Sequence, residues 1–400
     1  MPTTLIDPSA LATIGARRPL VDVAQTVGAE FAAVHGADVD RHARFPSEAI
    51  EALRRERALG ALIPISLGGR GASLREVAIV GETLARSCAS TAMVYAMHQI
   101  QVNCLVRHGR TPFLLEVLAD AAAHERLFAS ATTEAGVGGA VRASVCAIDP
   151  IPGEPERFRI EKQASVVSYG EYAHAILATA RRAPESAAGD QSLVYVPRGK
   201  TTLERTSEWD TFGFRGTCSN GFVLRAEGDR HQILPDAYAD ISTQTMLPTS
   251  HVVWSHLWLG LATEAVSRAR AYLRAQARKT LGTLPASAMA VAALVARLAE
   301  MRELVHGAAR DYELIADDPE QLNRIGFALR ANNLKISASN MVVEIVTEAM
   351  SVIGMSAYRE DSPYSVGRLL RDAHGAKAMI HNDRILAANA QWLLVAKEEL

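Results

Sequence analysis

The hydrophobic period of this chain changes twice, and each change limits what the chain can fold into. Up to about residue 118, apolar side chains recur at the spacing of a helix with one buried face. From about residue 127 to residue 234, short runs rich in β-branched residues are separated by Gly, Pro and Asp, which is typical of antiparallel strands. Helical spacing then returns at about residue 248. The pattern predicts an α+β protein with an N-terminal helical domain (1–125), a middle β-domain (126–238) and a C-terminal four-helix bundle (239–400).

Local signals position individual helices. Ser47 and Ser73 precede stretches of helical period, so each is expected to cap the N-terminus of a helix. Residues 91–108 are apolar on nearly every side, which predicts a helix buried between others. Gly375 is expected to turn the chain sharply before a loop whose tip carries residues 381–383. The bundle helices are expected at 249–278, 287–315, 319–353 and 376–398.

Composition argues against several classes of function. The formal net charge is −2 over 400 residues and no basic run is present, so nucleic acid is not an expected partner. No apolar run approaches ~18 residues, and no signal-peptide pattern opens the chain. We therefore expect a cytoplasmic location and no association with a membrane. No disulfide framework and no metal site are expected, because neither CxxC nor metal-ligand spacing is found among Cys88, Cys104, Cys146 and Cys218.

Six short strings follow one another along the chain. They are ALGALIPISLGGRGASL (58–74), TTEAGVGG (132–139), VVSYGEYAHAILATAR (166–181), FGFRGTCSNGFVL (212–224), ARKTLG (277–282) and RLLRDA (368–373). In this order they resemble the acyl-CoA dehydrogenase family, and the resemblance extends over about residues 20–395. It implies the three-part fold described above, FAD as cofactor and an acyl thioester as substrate. It also implies a homotetramer or a homodimer, because members are usually dimers of dimers with FAD bridging subunits.

The resemblance also implies which residues contact FAD. They are Thr132, Thr133, Gly138, Gly139, Val166, Val167, Ser168, Arg278, Gly354, Asn382 and Asp383. The first four lie in a loop that the family places against the flavin, although the same letters fit an ordinary glycine-rich turn. Ser168 takes the position of a threonine near flavin N5, whereas Val166 replaces the usual tryptophan beside the ring. Arg278 matches an arginine that binds the FAD pyrophosphate, but a register based on Gly260 puts Gln276 there, and a solvated helix end is the alternative.

The family's usual catalytic base, a glutamate that removes a proton next to the thioester, is missing. The corresponding tripeptide is Ile-His-Asn at 380–382, or Met-Ile-His at 379–381 if no residue is inserted, and the position used by some other members falls near Ser250 and His251. His381 is the leading candidate for the base, because imidazole is a competent general base at cellular pH. A loop histidine bonded to the backbone is the alternative for His381, and helix capping is the alternative for His251. Asp383 is expected to accept a hydrogen bond from adenosine or ribose.

Three functions stay open at this point. The first is dehydrogenation of an acyl thioester, with hydride transfer to flavin N5 and an electron-transfer flavoprotein as partner. The second is a flavin-dependent monooxygenase of the same fold, supplied with reduced flavin by a flavin reductase and using O₂. The missing glutamate and the altered flavin wall favour this second function, and the Arg-Lys-Thr-Leu-Gly string favours the first. The third is a non-catalytic role in which the fold is retained and the chemistry is lost.

Overall fold

The computed structural model describes residues 17–137, 142–279 and 282–396. The predicted cofactor residues Gly138 and Gly139 lie outside these ranges. Within them the chain forms helices, then two small sheets, then a helical bundle. The three-part α+β architecture predicted from the hydrophobic period is therefore confirmed.

The N-terminal part is helical. Its helices are α1 (Leu20–Val27), α2 (Ala33–Arg41), α3 (Ser47–Arg55), α4 (Leu74–Ala85), α5 (Ala89–His108) and α6 (Pro112–His124), with a π-helical turn at Gly28–Ala32 between the first two. Helix α5 is buried along almost its whole length, as its all-round apolar sequence predicts. Ser73 caps α4 in a capping box with Glu76, so that prediction is confirmed. The prediction for Ser47 is wrong, because Ser47 is already helical and its hydroxyl donates to the Glu48 carboxylate.

The middle part contains two sheets. Its strands are β1 (Phe128–Ala131), β2 (Asp149–Ile151), β3 (Glu154–Ala164), β4 (Ala175–Arg181), β5 (Gln191–Pro197), β6 (Thr201–Ser207) and β7 (Gly221–Asp229). One sheet has the order β1-β4-β5, in which β1 and β4 run parallel, and the other has the antiparallel order β2-β3-β7-β6. Strand β4 is buried on both faces except at its last residue, so it forms the core of this part.

The C-terminal part is a bundle centred on one long helix. Its helices are α7 (Tyr238–Ile241), α8 (Leu247–Ala277), α9 (Ala288–Ile315), α10 (Pro319–Leu322), α11 (Ile325–Ile353), α12 (Met355–Tyr358), α13 (Gly367–Ala378) and α14 (Asn382–Leu393). Helix α8 packs against α9 and α11, and also against α4 of the N-terminal part. The single helix predicted at 319–353 is in fact α10 followed by α11, and the one predicted at 376–398 is the end of α13 followed by α14.

The sharp turn predicted at Gly375 is wrong. Helix α13 runs through Gly375 without interruption, and the chain turns instead at Ile380, whose φ is 46°. Glycine is required at position 375 for close packing, since an added Cβ would lie 2.7 Å from the Phe214 ring. The glycine therefore marks the place where the β-domain presses against α13, and the loop tip follows six residues later at His381.

Helix α11 is long and apolar enough to cross a membrane by length and composition alone. It packs within the bundle against α8, α9 and α13, and it carries the buried polar residues Asn332, Lys335 and Ser339. A core helix of a bundle passes the same test, so this feature is weak evidence for a membrane segment.

Candidate active site

Two of the predicted cofactor strings lie side by side in the β-domain. Thr132 and Thr133 follow strand β1, and the Thr133 hydroxyl donates to the backbone carbonyl of Val166 over 2.9 Å. Thr132, Thr133, Val166 and Ser168 are all half-buried, so they form a partly accessible wall. Val167 is fully buried, and its backbone N–H donates to the Asn220 carbonyl. Val167 thus contributes packing beneath the wall rather than surface on it.

A buried ion pair fixes the loop that follows Thr133. The Glu134 carboxylate lies 2.9 Å from Lys162 Nζ, and both side chains are almost completely buried. The same carboxylate accepts hydrogen bonds from the backbone N–H of Cys146 and from the Ser144 hydroxyl. Lys162 also donates to the Thr179 carbonyl on β4. A fully bonded buried pair of this kind holds both ends of the loop to the sheet.

A chain of hydroxyl groups connects Ser168 to helix α13. Ser219 Oγ lies 2.8 Å from Ser168 Oγ and 2.7 Å from the Thr217 hydroxyl. Thr217 Oγ1 is in turn 2.8 Å from the Phe214 carbonyl oxygen, and the Phe214 backbone N–H donates to the Asp372 carboxylate over 2.6 Å. Each hydroxyl group has one proton and the Phe214 carbonyl can only accept, so with every bond made Ser168 donates to Ser219, and its oxygen lone pairs remain available to accept from a group at the wall.

Asp372 is a completely buried carboxyl group at the end of this series of hydrogen bonds. Burial raises its pKa to about 6, and the Phe214 N–H and the Arg368 guanidinium offset part of that rise. The adjacent Arg371 does not pair with Asp372, since its guanidinium binds the carboxylates of Asp40 and Glu360. Asp372 therefore links the β-domain to α13 while it is held in an environment that disfavours its charge.

A buried lysine supports the loop between α13 and α14. Lys335 on α11 donates from Nζ to the Ile380 carbonyl over 2.9 Å and to Asn382 Oδ1 over 2.7 Å. Asn382 Nδ2 donates to Ser339 Oγ over 3.0 Å, so both ends of the amide are bonded. No ion pair of the described residues involves Lys335, and burial lowers its pKa to about 8. The predicted cofactor residue Asn382 thus serves in this chain to fix the loop.

His381 lies at the tip of this loop, where it caps the N-terminus of α14. Its Nδ1 is 3.4 Å from the backbone N of Asp383 and 3.4 Å from the Asp383 carboxylate. The imidazole is more than half exposed, and the carboxylate is exposed further. Nδ1 caps the helix only when it is unprotonated; in the other tautomer Nδ1 gives up the cap and donates to the Asp383 carboxylate, and Nε2 then has the lone pair of a base. The structure therefore brings His381, Asn382 and Asp383 together on one loop above Lys335.

His251 occupies a different setting. It is buried between α8 and α11, with Nδ1 2.9 Å from the Ala331 carbonyl, and it borders a cavity of about 290 Å³ between α8, α9 and α11. Burial lowers the pKa of His251 to about 4, which makes it a weak base. The neighbouring Ser250 hydroxyl donates to the Met246 carbonyl, so it is engaged within its own helix. Neither candidate position of the missing glutamate carries a carboxylate.

The two remaining predicted cofactor residues lie at helix ends. Arg278 is exposed at the C-terminus of α8, and Gln276 in the alternative register is half-buried on the same helix. Gly354 ends α11 with φ 69° and ψ −141°, a conformation essentially restricted to glycine. An added Cβ at Gly354 would meet no atom within 4 Å, so this side of the helix end is open.

Sequence reasoning missed several residues of this region. They are Glu134, Lys162, Ser219, Lys335 and Asp372. For Lys335 a signal was present, since Asn332, Lys335 and Ser339 follow one another at helical spacing on an otherwise apolar face. The ion pair of Glu134 with Lys162 has no such signal, because its two members lie on separate elements.

Comparison with known proteins shows which family this chain belongs to. The model of the acyl-CoA dehydrogenase N-terminal domain matches residues 16–125, and that of the acyl-CoA dehydrogenase C-terminal domain matches residues 243–379. The chain belongs to the acyl-CoA dehydrogenase family. Members of this family are flavin-dependent, and the family membership indicates a flavin oxidoreductase.

Individual relatives include proteins of more than one activity. The probable acyl-CoA dehydrogenase FadE25 of Mycobacterium tuberculosis is 26% identical over 348 residues, which is 85% of each chain. FMN-bound TdsC of Paenibacillus sp. A11-2, a dibenzothiophene monooxygenase, superposes with a TM-score of 0.81 at 19% identity over 94% of this chain and 97% of its own. Butyryl-CoA dehydrogenase of Megasphaera elsdenii superposes with a TM-score of 0.79 at 18% identity over 98% of this chain and all of its own. At these identities the structural matches establish the fold alone.

Proposed function

We propose that this protein dehydrogenates an acyl thioester between Cα and Cβ, with FAD as its flavin and His381 as the base. The observation that carries the proposal is the continuous connection between the half-buried wall at Ser168 and the helix that leads to His381. Full-length similarity to a probable acyl-CoA dehydrogenase supports the same reaction class. The wall residues Thr132 and Ser168 fit a flat polar ring, since they offer hydroxyl groups at a strand edge. Bound flavin would supply the hydride acceptor.

The residues of this chain have separate tasks in the proposed reaction. His381 accepts the Cα proton at Nε2, while the Asp383 carboxylate orients the ring through Nδ1 and stabilises the imidazolium that results. Lys335 positions the loop by holding the Ile380 carbonyl and the Asn382 amide. Ser168 would present the lone pairs of its hydroxyl oxygen to the flavin edge. His251 stays the second candidate base, although its low pKa argues for His381.

The proposed partners are an electron-transfer flavoprotein and further copies of the chain. Exposed apolar side chains on the bundle support self-association, since Met289, Leu314, Met355 and Tyr358 are each more than 70% exposed in the single chain. In a homotetramer or homodimer, Arg278 and Gly354 would contact the FAD of a neighbouring subunit. Both residues lie at accessible helix ends, which is compatible with that task.

The second candidate is a flavin-dependent monooxygenase that uses reduced flavin and O₂. The specific observation in its favour is that no carboxylate occupies either base position, because His381 stands at one and the engaged Ser250 beside buried His251 at the other. The superposition with a dibenzothiophene monooxygenase is compatible with this candidate at the level of the fold.

The deciding experiment is an anaerobic reduction of the purified yellow protein with a panel of short, branched and aromatic acyl-CoAs. We expect one thioester to bleach the flavin in wild type and in His42→Ala. His42 is a suitable control because it is exposed and pairs with Asp38 as His381 pairs with Asp383. We expect His381→Ala to slow bleaching by about 100-fold or more, the usual contribution of a general base.

Other outcomes would change the assignment. Unchanged bleaching in His381→Ala would remove His381 as the base, and loss in His251→Ala would assign that role to His251. Protein that no thioester bleaches would refute the dehydrogenase. Supplying reduced flavin and O₂ would then test the monooxygenase, with product formation from a non-thioester substrate as the supporting result.

A further inference from the structure

Three helices bring two histidines and a glutamate together on another side of the bundle core. Glu82 lies on α4, His256 on α8 and His306 on α9, and their ligand-type atoms all lie within 4.8 Å of one another. Among the described residues they are a group of His, Cys, Asp or Glu side chains close enough together to hold a metal ion. Glycine at position 260 allows the approach of α4 to α8, since an added Cβ would overlap the Glu82 carbonyl oxygen at 2.2 Å.

His256 is prepared to bind through Nε2. Its Nδ1 lies 2.9 Å from the Val252 carbonyl, which requires the proton on Nδ1 and leaves the Nε2 lone pair free. His256 is completely buried, and its Nε2 has no hydrogen-bond partner among the described residues. An unpaired buried polar atom costs about 1–3 kcal/mol and needs an explanation. With the proton on Nδ1, Nε2 is unprotonated, as a metal-binding nitrogen must be.

The other two side chains complete the arrangement. His306 Nε2 is 3.1 Å from the Glu82 carboxylate, and the His256 and His306 rings are 5.0 Å apart at their centres. Ligand atoms around a tetrahedral zinc ion are about 3.4 Å apart, so the pair of His306 and Glu82 already has that spacing. The side chains of Glu82 and His306 are 17% and 27% exposed, so water can reach the site.

We propose that Glu82, His256 and His306 bind a divalent transition-metal ion of the zinc class. Two imidazoles and one carboxylate favour Zn²⁺ and similar ions over Mg²⁺ and Ca²⁺, which prefer oxygen ligands. Three protein ligands leave a fourth position for water at the exposed edge. The ion would join α4 of the N-terminal part to α8 and α9 of the bundle. A plain ion pair between His306 and Glu82 leaves the free Nε2 of His256 unexplained.

The test is metal binding by the full-length protein. Wild type, His306→Gln, Glu82→Gln and His124→Gln are stripped with a chelator, loaded with Zn²⁺, separated from free metal and analysed for metal content. His124 is the control because it is an exposed histidine that pairs with a carboxylate, Asp120, at 2.8 Å without a second histidine. We expect one ion per chain in wild type and in the control. We expect the two ligand variants to bind at least about 100-fold more weakly, since loss of an outer-sphere partner alone costs about 10- to 100-fold.

Thermal unfolding gives a second readout. Ligand at 100 times its dissociation constant adds about 2.7 kcal/mol to the free energy of unfolding, so Zn²⁺ should raise the Tm of wild type and not that of His306→Gln. Flavin content and elution volume, measured on every variant, show whether each has folded. The proposal is overturned if loaded wild type retains no ion, or if both ligand variants retain as much Zn²⁺ as the control.

Discussion

Replacing Asp372 by asparagine tests the reasoning about the buried carboxyl group that joins the β-domain to α13. The carboxyl group is 3% exposed, and its pKa is raised from 3.8 to about 6. One pH unit of pKa displacement corresponds to about 1.4 kcal/mol, so ionising Asp372 in the folded protein costs about 3 kcal/mol. Asparagine keeps the oxygen that accepts from the Phe214 N–H and removes the charge.

The sign of the pH dependence follows from the direction of the shift. Because the folded pKa is higher than the unfolded one, the favourable contribution of Asp372 is complete below about pH 4 and is lost as the pH rises through 6. Between pH 4.5 and 7.5 the free energy of unfolding of wild type should fall by about 2 kcal/mol through this group, and that of Asp372→Asn should not. For a chain of this length that corresponds to a rise of about 2 °C in the Tm of the variant relative to wild type.

The assay is thermal unfolding of both proteins across this pH range at constant ionic strength. Only the change in the Tm difference with pH is used, so any fixed cost of burying the amide cancels. Asp361→Asn is the control, because Asp361 is exposed and its partner Arg359 lowers the pKa of its carboxyl group. The Tm difference between Asp361→Asn and wild type should therefore not rise with pH. A Tm difference for Asp372→Asn that stays flat or falls as the pH rises would refute the claim that burial dominates at Asp372.

Three further predictions concern the packing and the buried charges. Gly375→Ala should lower the free energy of unfolding by about 1–3 kcal/mol, because the new methyl group meets the Phe214 ring. The control Gly81→Ala has open space around it and should raise the free energy of unfolding by up to about 1 kcal/mol. Equal effects of the two substitutions in thermal denaturation would contradict this prediction. Glu134→Gln should lower the free energy of unfolding by about 3–5 kcal/mol, because it leaves the Lys162 charge buried alone. Adding Lys162→Met should recover most of this loss. No recovery in the double variant would count against the ion pair. Lys335→Met should speed amide hydrogen exchange in the loop that carries His381, and unchanged exchange there would show that the lysine does not hold the loop.

The hydrophobic period predicted the three-part fold because it records which side of each segment is buried. That information is local, so it identified α5 and the capped start of α4 without any knowledge of their neighbours. The ordered strings identified the family and the wall at Ser168. They also predicted that the two candidate base positions carry no carboxylate, since a missing residue type can be read directly from the sequence.

The tertiary structure decided which residues each buried face of a helix or strand packs against. Gly375 looks like a turn in the sequence, and only the adjacent Phe214 ring shows that it is a packing position. Lys335 lies 45 positions before the loop carbonyl that it holds. Glu82, His256 and His306 come from three helices spread over more than half of the chain, so no spacing rule could group them. Contacts between distant elements leave no periodic trace, because the period of a segment reports only that a face is buried and not which residues bury it.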